Sequence, residues 1–403
     1  MIKKIINLIK RLIKVIKSLS SIRMPLIWVY INFTFVIGSI IRLFSGIDKN
    51  KVVFIANVGK YYSCNPKYIS EALHEINPNI KIVWLFNNPD EKKDIIPDYV
   101  ISIKNNSFRA FYELSTAKCW VDNCLKKFYK ADKQLYIQTW HGDRGLKAGG
   151  MLNPNYNNQN KPLETRHIDC FTSGSEHFSK FVEKAYGYKG LILKYGCPRN
   201  DILVNQNTAL LNKIKNKLGL NDEKILLYAP TFRKENFIKD NKNSDIDFDF
   251  IIKKLEEVTD NKWILLFRAH PNLKRLNLDK CKIKNIDVTS YENMNELLLI
   301  SDLLITDYSS SAGDFALTGK PIILYQLNIS NYEKEQGFTK DFSKSPYYIA
   351  YTKEELEKLI FNYNNLNPVL NDKEILEFYK THETGKASLK IAEFINDKLG
   401  ENV

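Results

Sequence analysis

The sequence predicts an α/β protein built from two doubly wound halves that face each other across a cleft. Three observations carry this expectation. Short apolar, β-branched runs recur from residue 51 onward with helical stretches between several of them, the alternation that builds parallel sheets. The runs fall into two series, separated by a polar stretch at about 205–223. The chain is 403 residues long, 44% hydrophobic and 26% charged, enough for two or three domains. Its 17 Gly and 13 Pro are too few for a collagen-like or low-complexity protein.

Residues 1–46 stand apart. They hold eight basic residues and no acid, out of a net charge of +13 for the whole chain. The charge therefore marks a basic arm, and the main body gives little reason to expect a nucleic-acid partner. Residues 1–18 read MIKKIINLIKRLIKVIKS, with Lys and Arg at three- and four-residue intervals among Ile, Leu and Val. This is the pattern of a basic amphipathic helix that lies on an anionic membrane surface. The uncharged run 24–41, MPLIWVYINFTFVIGSII, follows. Eighteen residues is at the lower limit for a span, and Pro25, Asn32 and Gly38 weaken it, so an interfacial segment is expected before a spanning helix. No small-residue cleavage site marks a signal peptide.

The first series of strand runs lies at 52–56, 82–86, 100–103, 119–121, 135–139, 170–172 and 191–195. Helical stretches include 66–76 and 175–186, the latter opening on Ser175 and Glu176, a hydroxyl cap and an acid at the positive helix end. The second series lies at 225–228, 264–267, 286–288, 303–306 and 322–325, with helices at 292–300 and 354–361 and two more at about 373–379 and 386–398. The six cysteines form neither a disulfide framework nor a zinc spacing and read as free thiols.

In doubly wound sheets ligands bind beyond the carboxyl ends of strands, and four polar motifs stand there. In Trp140-His141-Gly142-Asp143-Arg144-Gly145, His141 is a candidate general base and Asp143 a candidate to orient it. Arg233 closes Ala229-Pro230-Thr231-Phe232-Arg233 and suits an anion. His270 is kept extended by Pro271 and points from the second half. In Thr306-Asp307-Tyr308-Ser309-Ser310-Ser311, hydroxyls gather where a helix begins, an arrangement apt for phosphate. No Walker loop and no GxGxxG is present, which argues against a P-loop ATPase or a standard dinucleotide oxidoreductase. Two histidines from opposite halves and a phosphate site suit transfer from a nucleotide-activated donor.

Together these motifs resemble the CDP-glycerol glycerophosphotransferase family of bacterial wall teichoic acid synthesis. Gly59-Lys60-Tyr61-Tyr62-Ser63-Cys64-Asn65-Pro66-Lys67 is similar to that family's G-x-x-Y-S-D-N-P-K segment, Trp140-His141-Gly142 to W-H-G, and Gly196-Cys197-Pro198-Arg199-Asn200-Asp201 to G-x-P-R-N-D. Ala229–Arg233, His270-Pro271, Thr306–Ser310 and Gly385-Lys386-Ala387-Ser388 follow in the family's order. The resemblance implies a GT-B-like fold and a monotopic enzyme at the cytoplasmic face of the membrane. Its domains would be a membrane-associating segment at 1–46, a Rossmann-like acceptor domain at 47–205, a Rossmann-like donor domain at 206–370 and C-terminal helices at 371–403. It implies transfer of glycerol phosphate from CDP-glycerol, or another CDP-polyol, to a lipid-linked saccharide acceptor with release of CMP. A second copy of the chain is an admissible partner. In this scheme His141 is the base, and His270 stabilises the donor phosphate. Ser309 and Ser310, with Thr306 and Asp307 of the same motif, hold the pyrophosphate, and Arg233 neutralises charge. No metal or other cofactor is expected. Asp143-Arg144-Gly145 makes the loop one residue longer than the family's W-H-G-T-P-L-K, and Cys64 replaces an Asp. Both departures leave the acceptor and the polyol open. Ribitol phosphate transfer for a capsular polymer, a sialyltransferase-like GT-B glycosyltransferase and a non-catalytic membrane scaffold are the competing readings.

Overall fold

The computed structural model describes residues 23–124, 130–156, 165, 167–231, 246–268, 282–327 and 329–400. The expected helix at 1–18, Arg233 and His270 lie outside the described residues. The first lobe is a seven-stranded parallel sheet with strands β1 (Asp48–Ile55), β2 (Lys81–Phe86), β3 (Ile101–Lys104), β4 (Ala117–Asp122), β5 (Leu135–Gln138), β6 (Cys170–Thr172) and β7 (Leu191–Leu193), in the order 3-2-1-4-5-6-7. The second is a six-stranded parallel sheet of β8 (Lys224–Tyr228), β9 (Trp263–Phe267), β10 (Asn285–Asp287), β11 (Leu303–Thr306), β12 (Ile322–Tyr325) and β13 (Tyr348–Ala350), in the order 10-9-8-11-12-13. The central strands are continuous apolar runs because helices cover both faces of each sheet. Val52, Val53 and Phe54 of β1 and Leu226 and Leu227 of β8 are fully buried.

Strand order fixes where a ligand can sit. It reverses between β1 and β4 in the first sheet and between β8 and β11 in the second. Loops leaving these strands diverge and open a crevice at each switch point. The loops after β1 and β5 meet those after β8, β9 and β11 at the seam between the lobes.

The helices are α1 (Arg23–Ser45), α2 (Cys64–Ile76), α3 (Phe108–Thr116), α4 (Glu176–Tyr186), α5 (Asp201–Asn205), α6 (Thr208–Lys217), α7 (Phe248–Thr259), α8 (Met294–Ile300), α9 (Ser311–Phe315), α10 (Ile329–Gln336), α11 (Lys353–Phe361), α12 (Pro368–Tyr379) and α13 (Ala387–Gly400). Ser175 caps α4 as expected, accepting from Phe178 N at 3.1 Å, and Gly187 ends that helix in the left-handed region. Helices α3, α5, α6, α7 and α10 and strand β13 were not placed from the sequence. The polar stretch after 205 contains α6, whose Leu210, Leu211 and Ile214 pack on the second core behind an Asn207 cap. Strand β13 is three residues long and, among the described residues, pairs only with β12. The last helix, α13, crosses back to the first lobe, where Ile391, Ala392 and Ile395 join its core.

The apolar run 24–41 forms most of α1. Thr34 is buried, and a Cβ on Gly38 would lie 3.2 Å from Ser115 Oγ of α3, so this face of α1 rests on the first lobe. Val29, Phe33, Val36, Ile40, Leu43 and Phe44 recur at helical spacing on the opposite face and are exposed. No described helix is long and apolar enough to cross a membrane.

Candidate active site

His141 sits just beyond the end of β5. Trp140 adopts φ 51°, an uncommon conformation for a bulky residue, and its N–H donates to Gln138 Oε1 at 2.9 Å. This sharp turn delivers His141 to the seam. Its Nδ1 lies 2.7 Å from the carbonyl oxygen of Asn123, beyond the end of β4. A carbonyl only accepts, so Nδ1 carries the proton and Nε2 keeps its lone pair. The Asn123 side chain is held in turn: its Oδ1 accepts from Asn57 N at 2.7 Å, and its Nδ2 donates to Asn57 Oδ1 at 3.2 Å. The His141 ring keeps a face open to the cleft, but desolvation by the protein around it lowers its pKa from the ordinary 6.5, and the positive charges of Arg199 and Lys147 act in the same direction against the Asn123 carbonyl. The imidazole is therefore neutral and basic near pH 7.

Asp143 does not orient this ring, contrary to the expectation from sequence. Its Oδ2 accepts from Gly174 N at 2.8 Å, and its Oδ1 lies 3.4 Å from Arg144 Nη1. The backbone carbonyl of Asn123 takes the role expected of a carboxylate.

The loop after β5 lies directly on the serine turn of the second lobe. A Cβ on Gly142 would stand 3.3 Å from Ser310 Oγ, and one on Gly145 would stand 3.1 Å from Ser310 Cβ. Glycine at both positions is what lets the histidine loop and the serine turn touch. Ser309 Oγ accepts from Ser311 N at 3.2 Å and from Ser311 Oγ at 2.8 Å. Ser309 and Ser310 both line the cleft. Thr306 and Asp307 do not reach it. Thr306 Oγ1 donates to Ala229 O at 2.6 Å, and the Asp307 carboxylate accepts from Thr231 N and Thr231 Oγ1, both at 2.9 Å. Both side chains are buried and brace the loop after β8. The direct phosphate contacts expected of them are replaced by this framework role.

Beneath the seam lies a buried charge network. Arg144 Nη2 donates to Asp314 Oδ1 at 2.7 Å, Nη1 to Glu383 Oε1 at 2.7 Å, and Nε to Gly313 O at 3.0 Å. Arg199 Nε reaches Asp314 Oδ2 at 3.0 Å, and Asn200 Nδ2 bonds both Asp314 and Glu383. Burial opposes the charge on Arg144, but Glu383, Asp314 and Asp143 outweigh it and hold its pKa well above normal. Removing one member of such a network costs about 3–5 kcal/mol, because its partners are left buried and unpaired.

Among the described residues two cavities flank His141. The larger, about 520 Å³, is lined by Trp140, Lys147, His177, Tyr308 and Tyr332 among others. The smaller, about 280 Å³, includes Cys64, Arg199 and Arg268. Both share His141, Thr231, Ser309 and Ser310. Three cations here were missed from sequence. Lys147 follows the histidine loop, where Ala148 N donates to Gly337 O at 2.9 Å and Thr339 N to Leu146 O at 2.7 Å across the lobes. Lys147 is exposed to the cleft, but desolvation by its surroundings lowers its pKa, against the pull of Asp307. Arg199 belongs to Gly196-Cys197-Pro198-Arg199-Asn200-Asp201, a motif that carries no phosphate signature of its own. Arg268 directly follows β9, and that strand-end position was the signal available for it. No cluster of three or more His, Cys, Asp or Glu that could hold a metal occurs among the described residues.

Residues 38–397 match the family model described as CDP-Glycerol:Poly(glycerophosphate) glycerophosphotransferase. The chain is 30% identical over 400 residues to a teichoic acid poly(glycerol phosphate) polymerase of Bacillus spizizenii, covering 94% of this chain and 98% of that one. It is 31% identical over 379 residues to a Staphylococcus epidermidis protein of the same description, covering 87% of this chain and 51% of that one. The chain thus spans about half the length of that relative. Among solved structures, wall teichoic acid polymerase TagF superimposes with a TM-score of 0.77 at 29% identity, covering 90% of this chain and 93% of that one. A UDP-GlcNAc 2-epimerase of Neisseria meningitidis shares the two-lobed fold at a TM-score of 0.51 and 12% identity, covering 86% of this chain and 100% of that one.

Proposed function

This chain belongs to the CDP-glycerol:poly(glycerophosphate) glycerophosphotransferase family, and from that premise we propose that it moves glycerol phosphate from CDP-glycerol to a hydroxyl of a membrane lipid-linked acceptor in teichoic acid or related cell-surface polymer synthesis, releasing CMP. One observation carries the reading: a neutral imidazole with its proton pinned on Nδ1 lies against a serine turn at the seam of the two lobes, between two cavities. A TagF structure described as soaked with CDPG supports a CDP-linked donor.

The acceptor hydroxyl attacks the β-phosphorus of the donor. A bond from the acceptor oxygen to phosphorus forms as the bond to the CMP-side oxygen breaks. The acceptor proton passes to His141 Nε2, and the electron pair of the broken bond leaves on CMP. Catalysis of this step rests on positioning and on stabilising charge at the phosphate oxygens. Ser309, Ser310 and Lys147 supply donors and positive charge from the cleft walls, and Arg233 and His270 are assigned to the same task. No metal is required in this scheme. The enzyme works at the cytoplasmic face of the membrane, held by the basic arm and by the exposed apolar face of α1.

The test is a panel of CDP-glycerol, CDP-ribitol, CMP-sialic acid and UDP-sugars assayed with lipid-linked acceptors. CDP-ribitol is included because ribitol-phosphate polymerases are among the relatives, at 28% identity for one from Staphylococcus aureus. CMP release is expected with CDP-glycerol. The variant His141→Ala is expected to lose about 10²–10⁴-fold in kcat with its circular dichroism unchanged. Transfer from a nucleotide sugar instead, or near-normal turnover by the variant, would overturn the reading.

A further inference from the structure

We propose that the smaller cavity beside His141 is a phosphate-anion site, clamped by Arg199 of the first lobe and Arg268 of the second. Arg268 Nη1 is buried and has no hydrogen-bond partner among the described residues. Arg199 is only 3% exposed. Its Nε is taken by Asp314, but among the described residues Nη1 meets only the Cys64 thiol, at 4.0 Å, and Nη2 has no partner. Both residues line the same 280 Å³ space. A buried donor left unpaired is costly, and a guanidinium N–H more so than a neutral one.

The cavity holds no spare carboxylate among its described lining. Glu292 is engaged by Lys92 and by Tyr62 N at 3.0 Å. Asp314 is engaged by Arg144, Arg199 and Asn200. Burial also pulls the Arg268 pKa down to about 10, the direction expected of a cation without a counter-ion. Two planar forks with free N–H groups, beside the Ser309–Ser311 hydroxyls, match the tetrahedral oxygens of a phosphate.

Cys64 is what leaves Arg199 available. It stands where the resembling family segment has Asp, and a carboxylate there would reach the same guanidinium. Position 64 has φ 61°, a conformation that Asp tolerates well, so Cys64→Asp is expected to fold. Naming the carrier of the phosphate rests on the proposed transfer: it is either the CMP portion of the donor or a phosphate of the acceptor.

The experiment is calorimetric titration of the full chain with inorganic phosphate, CMP and glycerol 3-phosphate, repeated with Arg268→Gln and Cys64→Asp. Each substitution is expected to weaken binding of a phosphate ligand at least about ten-fold. Weakened CMP assigns the site to the donor, and weakened glycerol 3-phosphate with unchanged CMP assigns it to the acceptor. Wild-type chain that binds none of the three, or binding unchanged in both variants, overturns the site whatever the transfer assay shows. Weakened binding in a chain that transfers nothing keeps the site and removes the proposed reaction.

Discussion

Asn123, not a carboxylate, sets the state of His141, and that choice has a kinetic consequence. A carboxylate partner would raise the pKa of the imidazole. A carbonyl in a desolvated wall, with Arg199 and Lys147 nearby, leaves it below 6.5. The base is active only when neutral, so activity is retained as pH falls to 6.5 and is lost only below that value. The acid limb of kcat/KM against pH is expected to have its midpoint under 6.5, and a midpoint at or above 6.5 would contradict the assignment. Much of this chemistry was readable from position, since His141, Ser309 and Ser310 all follow apolar runs that end in polar residues. Side-chain direction was not readable. Thr306 and Asp307 belong to the same motif as the serines, but they turn inward to Ala229 and Thr231. Asp143 is next but one to His141, but it serves Gly174. A motif locates a strand end, whereas the register of the loop beyond it depends on partners distant in the chain.

The short helix α9 and the loop after β5 act as one unit. A Cβ on Gly313 would lie 2.4 Å from Arg144 Cβ and 2.7 Å from its carbonyl oxygen. Backbone on one side and a fully bonded Arg on the other leave no soft direction for relief. Gly313→Ala is expected to destabilise the protein by about 1–3 kcal/mol, read as a lower urea midpoint, and to reduce turnover with it by separating Ser310 from the histidine loop. An unchanged midpoint would show that this packing yields. Twelve of the strands were readable as apolar runs, because buried parallel strands are apolar on both faces. Helix α6 was hidden because its Lys and Asn residues outnumber the apolar positions that reach the core. Strand β13 was hidden because three edge residues carry no period.

At the scale of the molecule, α1 has one face on α3 and the other exposed among the described residues. Val29, Phe33, Val36, Ile40, Leu43 and Phe44 form an apolar stripe within the basic arm at 1–46, after its lysine-rich residues 1–18. The full chain is expected to sediment with anionic vesicles, and each of Val36→Asp and Ile40→Asp to weaken that partition about ten-fold. Unchanged partition in the double variant would assign attachment to other residues. The charge network under the seam bears on motion. Arg144 alone joins the histidine loop to Gly313, Asp314 and Glu383, and α13 returns the chain from the second lobe to the first. Parting the lobes there would break these bonds together. The two cavities therefore lie one on either side of His141, in a seam that these bonds hold closed.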